Sequence, residues 1–306
     1  MKAASFFTGA AGFDLGFEQA GIEVVFQCEI DKFARQLLTE KYPQVAKHDD
    51  ITQLHSTALP PADIYFGGFP CQDASTAGNR VGLKGKKTGL FYHFVRLIKA
   101  NKPQWVVLEN VPGLLSTGRR QDFKSVIETL AECGYYVSWR VLDSQYFGVS
   151  QRRRRLFLVG CYGDWRGGAE SLFESRIEAK DASQGSRDES EIAPGDRAGI
   201  SVETSFLNPK YNRILHHYQN LTPTLCASDR GFALLDGDRF RFPTPLECER
   251  LQGFPDHWTA GFSSTQRYKM IGNAVSVPVA KWLGERIEEV ARSIGEPSDW
   301  RLKQVS

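Results

Sequence analysis

The chain has 306 residues, 41 % of them hydrophobic, enough for one large core or two domains. Its 38 Lys and Arg against 36 Asp and Glu leave a formal charge of +2, which excludes a uniformly basic nucleic-acid coat; any polyanion must be met by a local patch. Six scattered cysteines, with no CxxC pair and no Cys/His cluster of zinc spacing, exclude a disulfide scaffold and a structural zinc site, so no metal is expected.

Met1-Lys2-Ala3-Ala4-Ser5 leads straight into a strand-like segment rather than a secretion signal, and no apolar run is long enough to cross a membrane. The expected setting is cytoplasmic and nucleoid-associated. Strands are predicted over 3–7, 23–28, 64–66, 105–108, 136–142 and 156–159, with helices over 13–20, 32–41, 90–99 and 122–132 between them. That alternation predicts an α/β fold, a doubly wound, mostly parallel sheet with helices on both faces.

The first turn, Phe6-Phe7-Thr8-Gly9-Ala10-Ala11-Gly12, follows a strand and opens a helix, so Gly9 and Gly12 let backbone N–H groups approach a ligand. Glu29, at the end of the second strand, is placed to accept hydrogen bonds from two ribose hydroxyls. These signals do not separate a dinucleotide from another adenosyl ligand. Asp50 as a partner for an adenine amino group, Ile30 and Phe7 as apolar faces, and Ala11 where a pyrophosphate favours glycine tip the balance toward S-adenosylmethionine over NAD.

Cys71 follows Gly67-Gly68-Phe69-Pro70 just beyond the 64–66 strand, and Glu109 directly ends the 105–108 strand. The carboxyl ends of neighbouring parallel strands line one crevice, so thiol and carboxyl are predicted to face one pocket. A thiolate can attack an electron-poor ring carbon, and a carboxyl hydrogen-bonded to the ring nitrogen would stabilise that addition. Gln151-Arg152-Arg153-Arg154-Arg155 enters the next strand; alternation sends Arg153 and Arg155 to one side, where they suit phosphate, a pyrimidine carbonyl or Glu109.

Beyond residue 163 the character changes. Residues 170–203 carry nine acidic and four basic side chains, a net −5, and read as a flexible surface insertion that would oppose close DNA contact. Residues 207–242 are more aromatic and basic, with Arg213, His216, His217 and Arg230, and suit a small second domain. Residues 245–295 are again compact and helical in pattern, ending in a helix predicted over 279–293.

In combination these motifs resemble the DNA cytosine-5 methyltransferase family, in a type II-like prokaryotic or phage form, over about residues 2–294. The match lies in the order of Gly68-Phe69-Pro70-Cys71-Gln72, Glu109-Asn110-Val111, Gln151-x-Arg153-x-Arg155, Arg250-Leu251-Gln252-Gly253-Phe254-Pro255 and Gly272-Asn273-Ala274-Val275. The resemblance implies a catalytic and cofactor-binding domain over 1–163, an irregular target-recognition domain over 164–242, and a segment 243–306 that returns to complete the first. It further implies that Cys71 attacks C6 of a flipped cytosine while Glu109 contacts N3 and the exocyclic amine. C5 then takes the methyl group of S-adenosylmethionine, and loss of the C5 proton releases Cys71.

By the same resemblance Arg155 touches the cytosine O2 and orients Glu109, Arg153 is its phosphate-side neighbour, Asn110 braces the Pro-Cys loop and Gln151 opens the motif. Phe7, Gly9, Gly12, Glu29, Ile30, Asp50 and Leu90 resemble the cofactor wall, completed by Asn273 and Val275. Arg80, Lys84, Lys86 and Lys87 fall in the mobile catalytic loop, and Arg213, Thr224, Leu225 and Arg230 in the DNA-facing region, with buried packing an equal account of the Thr-Leu pair. Double-stranded DNA is the expected partner of a monomer, with a cognate restriction endonuclease as a functional rather than physical partner. Ser5, Ala11 and Asp73 depart from the family pattern and are expected to act on cofactor affinity or loop closure. Cytosine-5 methylation of transfer RNA, and a non-catalytic nucleic-acid-binding role, are the alternatives; the latter leaves the thiol without a task.

Overall fold

A computed structural model describes residues 1–70, 89–173, 203–208, 213–219, 221–227, 232–236 and 239–294. Cys71, Asp73, Arg80, Lys84, Lys86, Lys87 and Arg230 lie outside the described residues, as does most of the acidic segment.

Seven strands form the main sheet: β1 (Lys2–Phe6), β2 (Glu23–Cys28), β3 (Ala46–His48), β4 (Ile64–Gly68), β5 (Trp105–Asn110), β6 (Tyr135–Asp143) and β7 (Arg154–Tyr162), in the order β3-β2-β1-β4-β5-β7-β6. Ala3, Ala4, Ser5 and Phe6 are all buried, as a central strand covered on both faces requires. The chain steps one way from β1 to β3 and the other way from β4 to β5, so the topological switch lies between β1 and β4, where an open α/β sheet places its ligand crevice.

The sheet is parallel from β3 to β5, whereas β7 runs antiparallel to both β5 and β6. That reversal has a direct consequence for the arginine run. Asn110 pairs with Leu156, so the start of β7, not its end, lies at the carboxyl end of β5 beside Glu109.

Helices α1 (Gly12–Gln19), α2 (Lys32–Lys41), α3 (Leu90–Asn101), α4 (Gln121–Glu132) and α5 (Trp165–Leu172) belong to this half, followed by α6 (Pro245–Gln252), α7 (Ser264–Asn273) and α8 (Val277–Ile294). Asp31 caps α2 through Phe33 N and Ala34 N, and full capping boxes start α6 and α7 at Thr244 and Ser263. The C-terminal helix α8 buries Val279, Ala280, Leu283, Ile287 and Val290 and packs on α1. A Cβ on Gly16 would lie 2.5 Å from that of Ala280, so glycine sets how closely the two helices approach.

Where composition suggested irregular structure, a second, antiparallel sheet is present, with β8 (Glu203–Asn208), β9 (Arg213–Gln219), β10 (Ala233–Asp236) and β11 (Arg239–Arg241) in the order β11-β10-β8-β9. Its strands are short, three to seven residues, and apolar residues stand next to one another in Phe206-Leu207, Ile214-Leu215 and Leu234-Leu235, which hides the period-two pattern. Helix α5 also escapes propensity because of Gly167 and Gly168; a Cβ on Gly168 would come within 2.5 Å of Val159 O, so close packing on β7 selects glycine inside a helix.

Candidate active site

One cavity of 420 Å³ opens along the carboxyl edge of the sheet and runs from the end of β2 to the start of β7. At its reacting end, Glu109 pairs in register with Gly68. A Cβ on Gly68 would lie 2.8 Å from Glu109 Oε2, so the glycine clears the space that the carboxylate occupies. Arg155 Nε lies 3.0 Å from Glu109 Oε1, with the two side chains 17 % and 13 % exposed.

Burial raises the pKa of Glu109 against the opposing pull of the Arg155 and Arg153 charges. A carboxyl held this way keeps its neutral form closer to neutrality than a free glutamate, so it can donate a proton as well as accept one. Asn110 Nδ2 donates to Phe69 O at 3.1 Å while Asn110 Oδ1 accepts from Val111 N at 2.9 Å. The end of β5 is thereby tied to the Phe69-Pro70 turn, and Pro70, the residue before Cys71, lines the cavity.

At the other end Phe7, Gly9 and Ala11 have φ of 55°, 58° and 62°, all in the left-handed region. The sharp turn directs Gly9 N at Glu29 Oε2 (2.7 Å), while Asp31 N donates to Oε1 (2.8 Å). Burial raises the pKa of Glu29; the Thr52 N–H on Asp50 lowers that of Asp50. A Cβ on Gly9 would meet no atom closer than Phe7 O at 4.0 Å, leaving an open shelf beside apolar Phe7, Leu90 and the 68 % exposed Ile30. Apolar walls and two carboxylate acceptors fit an adenosyl group with its hydroxyl and amino donors.

Between the two ends lies a buried polar hub. Arg153 Nη1 donates to Leu225 O (3.0 Å), and Nη2 to Gly272 O (3.0 Å) and Ala274 O (2.9 Å). Gln151 Nε2 donates to Leu251 O and Gln252 Oε1, Gln151 Oε1 accepts from Leu225 N, and Gln252 Nε2 donates to Ile271 O and Ala274 O. Burial and the neighbouring Arg155 charge lower the Arg153 pKa to about 9, which still leaves a cation at neutral pH.

The cavity thus brings together Phe7, Gly9, Glu29, Ile30, Asp50, Leu90, Glu109, Asn110, Arg153, Arg155, Asn273 and Val275. Five other sequence-predicted residues do not line it. Gly12 packs on the returning segment, where a Cβ would lie 2.3 Å from Val275 O. Gln151 sits inside the hub, Leu225 is buried in an apolar cluster with Phe232, Leu234 and Leu251, and Thr224 Oγ1 donates to Arg152 O. Arg213 lies in β9.

Sequence reasoning missed Asp14, which is fully buried beneath the glycine turn and accepts from Ser5 Oγ and Gln27 Nε2 at 2.9 Å each. Its only signal is a lone acid inside the apolar run Gly12-Phe13-Asp14-Leu15-Gly16-Phe17. Ser5 therefore meets a carboxylate supplied from α1. Ala11 occupies its left-handed position without a glycine's freedom.

The sequence profile of the C-5 cytosine-specific DNA methylase family matches residues 1–193 and 195–289. The chain belongs to this family. Type II methyltransferase M2.BsuMI of Bacillus subtilis is 32 % identical to it over 97 % of this chain and 77 % of the relative. M.FnuDI of Fusobacterium nucleatum is 30 % identical over 94 % of each. Among solved structures, the S. pombe Dnmt2 methyltransferase superposes with a TM-score of 0.69 at 16 % identity, covering 97 % of this chain and all of that one, a likeness of fold alone.

This methyltransferase is S-adenosylmethionine-dependent, binds DNA and methylates C5 of cytosine, a base drawn out of the helix for the reaction. Among the described residues, no group of three or more His, Cys, Asp and Glu is placed to hold a metal ion, and no helix is long and apolar enough to cross a membrane.

Proposed function

We propose that this methyltransferase modifies one cytosine within a specific duplex sequence, in the manner of a type II modification enzyme, with Cys71 as nucleophile and Glu109 as its acid partner. The continuity of one cavity from Glu29 and Asp50 to Pro70, Glu109 and Arg155 supports this reading best. S-adenosylmethionine, when bound, supplies an electrophilic methyl group. Phe7, Gly9, Glu29, Ile30, Asp50 and Leu90 hold its nucleoside, with Asn273 and Val275 on the far wall.

Cys71 Sγ forms a bond to C6 of the cytosine, and Glu109 gives a proton or hydrogen bond to N3, so the charge pushed into the ring is neutralised. Arg155 fixes the Glu109 carboxyl through its 3.0 Å contact and offers its remaining donors to the pyrimidine O2. Once C5 carries the methyl group, loss of its proton to water lets the C6–Sγ bond break and returns the thiolate. Asn110 holds the turn that presents Cys71. Gln151 and Arg153 act through the hub, as positioning residues.

We assign residues 1–163, with α5 packed on their sheet, to catalysis and cofactor binding, the rest of 164–242 to target recognition and 243–306 to the returning segment. Arg80, Lys84, Lys86, Lys87, Arg213 and Arg230 are the proposed DNA contacts. A monomer acting in the cytoplasm at the nucleoid, with a restriction endonuclease of the same specificity as functional partner, completes the proposal. Incubation with labelled S-adenosylmethionine and either duplex DNA or transfer RNA, with base-resolution mapping, tests it. Label at one cytosine in a recurrent duplex sequence is expected; label scattered over all cytosines would remove the site specificity.

A further inference from the structure

The connection between α6 and α7 makes a contact that none of the roles above uses. Trp258 Nε1 donates to Ala10 O at 2.9 Å, across 248 positions of chain. Ala10 is fully buried between Gly9 and Ala11, and neither it nor Trp258 lines the cavity. The indole is itself fixed from several sides. Phe254 stacks on it with ring centres 5.7 Å apart, Tyr42 meets it edge-on at 6.4 Å, and Lys41 Nζ stands 4.9 Å from the centre of its face. The next residue, Thr259, gives its N–H to the fully buried Glu249 carboxylate at 2.9 Å, and Arg267 Nη2 holds the same oxygen at 2.8 Å.

The turn that Trp258 meets is a strained one. Phe7 and Ala11 hold φ of 55° and 62°, a conformation that L side chains adopt at a cost and keep only where their surroundings over-determine it. From within, Thr8 N donates to Cys28 O (3.3 Å) and Ala11 N to Thr8 O (3.1 Å); from without, the indole holds Ala10. That shape aims Gly9 N at Glu29 and leaves the shelf over Gly9 open. Trp258 is only half-buried, so water could satisfy its N–H as well as any carbonyl. Its place on this turn is better accounted for by binding. We propose that Trp258 is a positioning residue for the methyl donor: through Ala10 it fixes the turn that frames the nucleoside, and it does so without touching the cofactor. The returning segment thereby sets cofactor affinity from outside the cavity.

The inference rests on the cavity being the cofactor site, and measurements on the full chain keep the two apart. Trp258→Phe keeps a ring and removes the N–H. It should weaken S-adenosylhomocysteine about fivefold in calorimetry, the worth of one neutral hydrogen bond, and raise the KM for S-adenosylmethionine by the same factor. With both substrates saturating, kcat should stay at the parental value, because the contact acts on binding and not on the reacting atoms. Ile98→Val, a truncation in the buried core of α3, controls for lost stability alone and should leave affinity and KM unchanged. Parental cofactor affinity in Trp258→Phe, a fall in its kcat with KM unchanged, or an equal loss of affinity in Ile98→Val would overturn the positioning role. Glu29→Gln should also weaken S-adenosylhomocysteine; parental affinity there would place the nucleoside elsewhere, and the inference would fall with the cavity reading.

Discussion

The two ends of the cavity are held by different kinds of contact. At the nucleoside end Gly9 meets Glu29, Glu29 meets Asp31, and Asp14 meets Ser5 and Gln27, all partners within about one βαβ unit of each other. In the hub that backs the reacting end Arg153 reaches Leu225, Gly272 and Ala274, which lie 72, 119 and 121 positions away. The Glu29 shelf takes its hydrogen bonds from its own segment of chain. The hub exists only once the segment around Leu225 and the returning C-terminal segment have closed on β7, at the cost of ordering long loops. Short-range and long-range contacts therefore hold different parts of one cavity, and substitutions should tell them apart.

The largest effects belong to chemistry at the reacting end. Cys71→Ser should lower methyl transfer to duplex DNA by about 10⁴-fold or more, and Glu109→Gln by about 10²–10⁴-fold. S-adenosylhomocysteine affinity of Cys71→Ser should stay at the parental value. Parental turnover in Cys71→Ser would remove the covalent mechanism.

Arg153→Met strikes the hub. It removes the bonds to Leu225 O, Gly272 O and Ala274 O, of which Ala274 O keeps Gln252 Nε2, and should cost about 2–4 kcal/mol in urea unfolding. Because the same guanidinium ties Leu225 to the Asn273 wall, cofactor and DNA affinity should fall together. Loss of DNA affinity with cofactor affinity unchanged would show that the two walls are held independently.

Asp14 tests the nucleoside end. Burial pushes its pKa up to about 7, partly offset by the bonds from Gln27 and Ser5. The folded chain then holds a proton that the unfolded chain has released between about pH 4 and pH 7, so its contribution to stability falls as pH rises through that window. Glu29 and Glu109, also raised, act with the same sign. Asp14→Asn should make the melting temperature less dependent on pH between 5 and 8; an unchanged slope would mean that Asp14 is already ionised there. The smallest effect is expected from Ala11→Gly, which relieves a left-handed alanine and should raise unfolding stability by about 0.5–1 kcal/mol.

Residues at strand ends were legible because a short apolar run followed by a turn locates its own terminus. Glu109, Glu29 and Gly9 come from that pattern. Gly12 and Gln151 illustrate the limit: each stands in the right motif, yet Gly12 makes room for Val275 O and Gln151 bonds Leu225 and Gln252, partners that no local pattern reveals. Ser5 is a further case, since its carboxylate partner comes from α1 rather than from β1.

The amino-acid sequence by itself determined the alternation of strands and helices, the order of the motifs, and the thiol and carboxyl that follow neighbouring strands. Period, turn residues and apolar runs are local properties of a chain. Tertiary structure alone decided that β7 runs antiparallel and so carries Arg155 to Glu109, that Arg153 bonds three carbonyls, and that Lys269 meets Asp31 across the cavity mouth. Those pairings join segments far apart in the chain, and only the packing of the whole sheet brings them within hydrogen-bonding distance.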